Sequence, residues 1–74
     1  MSQDLSEIDA EIRARLGALA VSTDPTAFQY LLSLSQYVGE CLGTSARTLA
    51  EAQSWTEVAG FAGTTKQAAW SRWH

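Results

Sequence analysis

The chain has 74 residues, 46% of them apolar and 18% charged, a balance that suits a folded domain and excludes a disordered polar tail. A net charge of -3 is the wrong sign for gripping phosphates by bulk charge, and no apolar run approaches the ~20 residues needed to span a membrane. The single cysteine, Cys41, excludes an internal disulfide, and the acidic N-terminus has no apolar signal core, so one domain in a reducing, cytoplasmic setting is expected.

The first segment runs from Ser2 or Asp4 to about Ala20. Leu5, Ile8, Ile12, Leu16 and Leu19 step by three or four, which predicts a helix with one apolar stripe. Asp4, Glu7, Asp9 and Glu11 come early and Arg13 and Arg15 later, the order that suits a helix dipole. Residues 1–42 carry six acidic against two basic side chains, a net -4, whereas residues 43–74 carry Arg47, Lys66 and Arg72 against Glu51 and Glu57, a net +1. The acidity therefore belongs to the N-terminal part.

A break follows at Val21–Pro25, where Asp24 is placed to cap a helix beginning at about Pro25. Phe28, Leu31, Ser35, Val38, Leu42, Ser45, Leu49 and Ala52 then alternate steps of three and four, and six of the eight are apolar. That is a heptad seam, which turns one face toward a partner helix. It predicts one long helix from Pro25 to Gln53, the alternative being a helix that stops at Gly43 and restarts at Thr44. Cys41 is expected to be a buried small apolar side chain.

Ser54-x-x-Glu57 reads as a capping box: the hydroxyl accepts the third amide and the carboxylate reaches back to the cap amide. A short helix from Trp55 to Ala62, a turn at Gly63, a cap at Thr64 or Thr65 and a last helix to the end complete the chain. Ala59 stands where a second helix would cross, with Gly63 four residues on, Val58 and Ala62 as apolar companions and Ala69 as the inward residue of the second helix.

This stretch resembles the helix-turn-helix segments of phage repressors. It is more similar still to short actinobacterial helix-turn-helix DNA-binding proteins, on Trp55, Glu57, Val58, Gly63, Gln67, Ala68, Ala69, Arg72 and Trp73, about a quarter of the chain. Arg72 departs from the repressor pattern by standing at an apolar anchor position, a role that passes to Trp73. The resemblance implies double-stranded DNA as partner, a bacterial nucleoid-associated location, and a recognition helix over residues 65–74 whose N-terminal end meets base edges. The residues it points to are Thr56, Thr64, Thr65, Lys66, Gln67, Trp70, Ser71 and Arg72, with Gln67 suited to adenine and Lys66 and Arg72 to phosphate.

Against this stands the reading of the two short helices as a purely structural hairpin. Trp55 and Trp73 are better placed as core than as stacking groups, Trp70 lies near the outward face, Glu57 is a cap rather than an acid catalyst, and His74 has no metal-ligand spacing. No phosphate loop, Cys/His metal spacing or Ser/His/Asp set is present, so an enzyme, a cofactor and a metal are not expected.

The expected architecture is all-α and a single domain. A helical hairpin and dimerisation region over residues 1–53, with helix 1 folded back on a long helix 2, precedes a helix-turn-helix over 54–74. Two copies then form a bundle through Leu5, Ile8, Ile12, Phe28, Leu31, Val38, Leu42 and Leu49. The expected function is sequence-specific DNA binding by a homodimeric transcriptional regulator. The alternative is a protein–protein module, such as an antirepressor or anti-sigma-like regulator, whose helix-turn-helix serves packing.

Overall fold

A computed structural model describes residues 4–74. Among them the chain forms α1 (Leu5–Ala20), α2 (Pro25–Ala52), α3 (Trp55–Ala62) and α4 (Lys66–Trp73), and no strand, so the protein is all-α as expected. No helix among the described residues is long and apolar enough to cross a membrane.

Each helix starts where a side chain can take an orphan amide. The Asp4 carboxylate accepts the Ser6 amide at 3.3 Å and the Ser6 hydroxyl at 2.8 Å. The Asp24 carboxylate accepts the Thr26 amide at 2.9 Å, with Pro25 in the first helical position where its missing N–H costs nothing. The alternative start at Ser2 lies outside the described residues. α2 continues through Gly39 and Gly43, which settles the choice between one long helix and two. The only positive φ among the described residues belongs to Gly63.

The chain divides into two compact units, one up to Ser35 and one from Gln36, with the division falling inside α2. In the first unit Ala27 is the only described residue that is buried. Around Ala27 burial in this unit is partial: Leu16 and Leu19 of α1 and Leu31 and Leu34 of α2 are half-buried. No residue of α1 is buried, and Leu5 keeps 81% and Ile12 51% of its surface exposed. α1 is also supported locally, by the Asp4 cap and the i,i+4 pairs Asp9–Arg13 at 2.9 Å and Glu11–Arg15 at 3.8 Å. Exposed pairs of this kind contribute about 0.3–0.5 kcal/mol each.

The second unit has the core. Ala46 of α2, Val58 and Ala59 of α3, and Ala69 and Trp73 of α4 bury one another, with Leu49, Ala50 and Trp55 half-covered around them. Small residues carry the close approaches: Ala59 is 3% exposed and Ala69 not at all.

Cys41, expected inside, is exposed. The buried face of α2 in this unit runs through Gly43 and Ala46, and Cys41 sits about 200° around the helix from Gly43 at 3.6 residues per turn. It meets Tyr37 one turn earlier instead, and that contact holds the Tyr37 hydroxyl above its ordinary pKa.

Candidate nucleic-acid interface

The entry to α3 is set by Ser54, whose backbone is extended and whose Oγ accepts the Glu57 amide at 3.2 Å. The reciprocal half of the expected capping box, from the Glu57 carboxylate to the Ser54 amide, is not formed. Glu57 sits in the first turn and favours the helix dipole without the second bond. At the other end Gly63 adopts φ 68, ψ 35. Its amide donates to the Gly60 carbonyl at 3.3 Å and the Thr64 amide to the Ala59 carbonyl at 2.9 Å, the two bonds of a Schellman turn. A Cβ at Gly63 would meet nothing within 4 Å, so glycine is required there for its backbone and not for space.

Thr65, rather than Thr64, caps α4: its Oγ1 accepts the Ala68 amide at 3.2 Å. That occupies its hydroxyl as an acceptor and leaves its methyl and the hydroxyl proton for any outside partner. α4 then turns two faces in different directions. Ala69 and Trp73, one turn apart, enter the core. Lys66, Gln67, Trp70, Ser71 and Arg72 are exposed, as are Thr64, Thr65 and, on α3, Thr56. All eight residues singled out for nucleic acid are therefore at the surface, seven of them within residues 64–72. Ala62, expected to be an apolar companion of the core, is exposed, because Gly63 turns the chain away directly after it.

Arg72 lies over the Trp73 ring, its guanidinium carbon 5.2 Å from the ring centroid, so the cation covers the outer face of the core tryptophan while staying exposed.

Two features were not foreseen. His74 stacks on Trp70, with ring centroids 3.9 Å apart and planes 5° from parallel, and its Nδ1 also engages the Trp70 carbonyl. The spacing of four residues was the available signal, since such pairs share a helix face. The second is Arg47 of α2, whose guanidinium donates to the Trp73 carbonyl at 2.9 Å and so satisfies an orphan group at the end of α4. Gly43 lies beside that guanidinium: a Cβ there would come within 3.2 Å of Arg47 Nη1. A long-range bond of this kind leaves no periodic trace in the sequence.

The expected dimer residues divide. Leu5, Ile8, Ile12, Phe28, Val38 and Leu42 are exposed, Leu31 is half-buried, and Leu49 is half-buried against the core of its own unit. The charge at the surface is sparse: from Gln36 onward Arg47, Lys66 and Arg72 face Glu40, Glu51 and Glu57, a balance of zero. No group of three or more His, Cys, Asp or Glu among the described residues could hold a metal ion. Compared with known proteins, the chain matches no family model, no curated protein and no solved structure.

Proposed function

We propose that the protein is a sequence-specific DNA-binding protein that acts as a homodimer in bacterial transcriptional control, with α3 and α4 as a helix-turn-helix and α4 as the helix that reads the major groove. The observation that carries this reading is the division of α4. Its inward positions, Ala69 and Trp73, are buried, while its first turn offers Lys66 and Gln67 to solvent beside Thr64 and the cap Thr65. A helix whose N-terminal end is exposed and polar, held rigidly by a buried pair behind it, is what base-edge recognition needs. The low positive charge fits a protein that relies on base contacts and neutralises few phosphates per subunit.

Gln67 and Lys66 are neighbours with different jobs in this proposal. Gln67→Ala should lose about 1–3 kcal/mol on the preferred site and relax base preference there. Lys66→Ala should weaken binding to all sequences alike and reduce the salt slope by about one phosphate per subunit. Binding to a library of sites drawn first from the DNA upstream of the protein's own gene, at two salt concentrations, reads both. If neither change alters binding while the helical content is intact, α4 is not the reader. The protein–protein module then takes its place, a reading favoured by the exposed Phe61 on α3 and the net charge of -3.

A further inference from the structure

α2, α3 and Trp73 of α4 line an open, uncharged hollow of about 150 Å³ in the second unit. Leu42, Ser45, Ala46 and Leu49 line it from α2 and Val58, Phe61 and Ala62 from α3, with Trp73 completing the lining. Phe61 is 70% exposed and Leu42 46%.

The α2 side is not a random patch. Leu42, Ser45 and Leu49 are three consecutive positions of the heptad seam that begins at Phe28. A seam position in a paired helix is a knob that enters a hole between side chains of its partner. Here the hole exists before any partner is present, because Phe61 stands across from the seam and completes it. Its room suits one large aliphatic or aromatic side chain.

We propose that this hollow is the end of a self-association surface, occupied by α2 of a second copy, and that Phe61 belongs to that surface although it lies outside the seam. The inference rests on the homodimer reading above and extends it onto α3.

Three observations select a second copy as the occupant. The seam is the apolar pattern on the page that matches the hollow's own wall, and an interface between identical copies requires such self-complementarity. No charged side chain lines the hollow, so two chains of net charge -3 can meet there without burying an unpaired charge. The core is also too small for the apolar surface left over. Its buried side chains are Ala46, Val58, Ala59, Ala69 and Trp73, and only Ala27 is buried outside it, while twelve large hydrophobic side chains among the described residues stay exposed. Domains of this size commonly need a second subunit to cover such surface. A standard interface takes about 800 Å² from each partner, a modest share of the 6018 Å² that the chain exposes.

The consequence is mechanical. α3 carries α4 through the turn at Gly63 and the shared core of Ala59 and Ala69. An interface that includes Phe61 ties self-association to the placement of α4, so that the spacing of two α4 helices is set near the reading element itself.

Sedimentation equilibrium on the native chain, Phe61→Glu, Phe61→Ala and Val21→Glu tests this. Val21 is more exposed than Phe61, at 82%, and lies outside both seam and hollow. Phe61→Glu should raise the dimer dissociation constant by at least about tenfold and Phe61→Ala by less, as loss of a buried aromatic anchor does. Val21→Glu should leave the constant at its native value, and all four chains should keep native helical content by circular dichroism. A native dimer with Phe61→Glu and Phe61→Ala both at the native constant overturns the hollow as interface and leaves the homodimer reading standing. Should Phe61→Glu lose helical content, Phe61→Ala decides alone. A native chain that is monomeric at every concentration overturns both.

Discussion

Between Asp4 and Ser35 only Ala27 is buried, whereas between Gln36 and His74 Gly43, Ala46, Val58, Ala59, Ala69 and Trp73 are. Both regions are made of well-capped helices with apolar stripes at helical spacing. The difference lies in what lets helices approach one another. The second region has alanines at a crossing, a glycine that reverses the chain with φ 68, and a tryptophan to fill the space they leave. The first has leucines and isoleucines on α1, and no α1 residue is buried. Periodicity makes a helix amphipathic, and turn chemistry with small residues decides whether that face is used within one chain.

The largest effects should follow that division. Trp73→Ala removes the one large side chain of the core and should cost about 3–5 kcal/mol, comparable to the whole stability of so small a domain. Cooperative thermal unfolding of the second unit should disappear. Ile12→Ala, on a stripe that is 51% exposed at that position, should stay within about 0.5 kcal/mol in dilute solution. Its cost should grow with protein concentration if a second copy covers the stripe. Equal losses from the two substitutions in dilute solution would break the contrast between the regions.

A single type of substitution sharpens the contrast further. Gly63→Ala places a Cβ on a residue at φ 68 and should destabilise by about 1–2 kcal/mol, although nothing lies within 4 Å of that Cβ. Gly39→Ala meets equally open space in the interior of α2, where glycine only adds disorder to the unfolded chain, and should stabilise by roughly 0.5–1 kcal/mol. Opposite signs in urea unfolding would confirm that backbone conformation separates the two sites. Two losses of the same size would show that it does not.

How much could be read beforehand follows from the range of each interaction. The caps at Asp24 and Ser54 and the turn at Gly63 depend on residues within five positions and were legible, and the cap at Thr65 was legible to within one residue. So was the inward pairing of Ala69 with Trp73, which follows from helical phase alone. The exposure of Cys41 was not, because an apolar residue on α2 is buried only if its side of the helix is the one that α3 and α4 cover. The bond from Arg47 to the Trp73 carbonyl joins residues 26 apart and has no local signal. The exposure of Leu5 and Ile12 was also hidden, since an apolar stripe shows that a helix wants cover and is silent on which molecule provides it.

The smallest expected effect belongs to the cap of the least buried helix. Asp4 is fully exposed, yet the Ser6 hydroxyl and then the Ser6 amide donate to its carboxylate and hold its pKa below the ordinary 3.8. A carboxyl group with a depressed folded pKa stabilises the folded form above its unfolded pKa and loses that contribution as pH falls through the folded one. The first turn of α1 should therefore keep its cap at pH 5 and lose it only below about 3.8, a titration visible in the Ser6 amide shift by NMR. Asp4→Asn keeps an acceptor at the cap and removes the titrating group, so its Ser6 amide should be flat over that range. A Ser6 midpoint at or above 3.8 in the native chain would mean that the two Ser6 bonds do not persist in solution. α1 would then rest on its i,i+4 ion pairs without an anchored first turn.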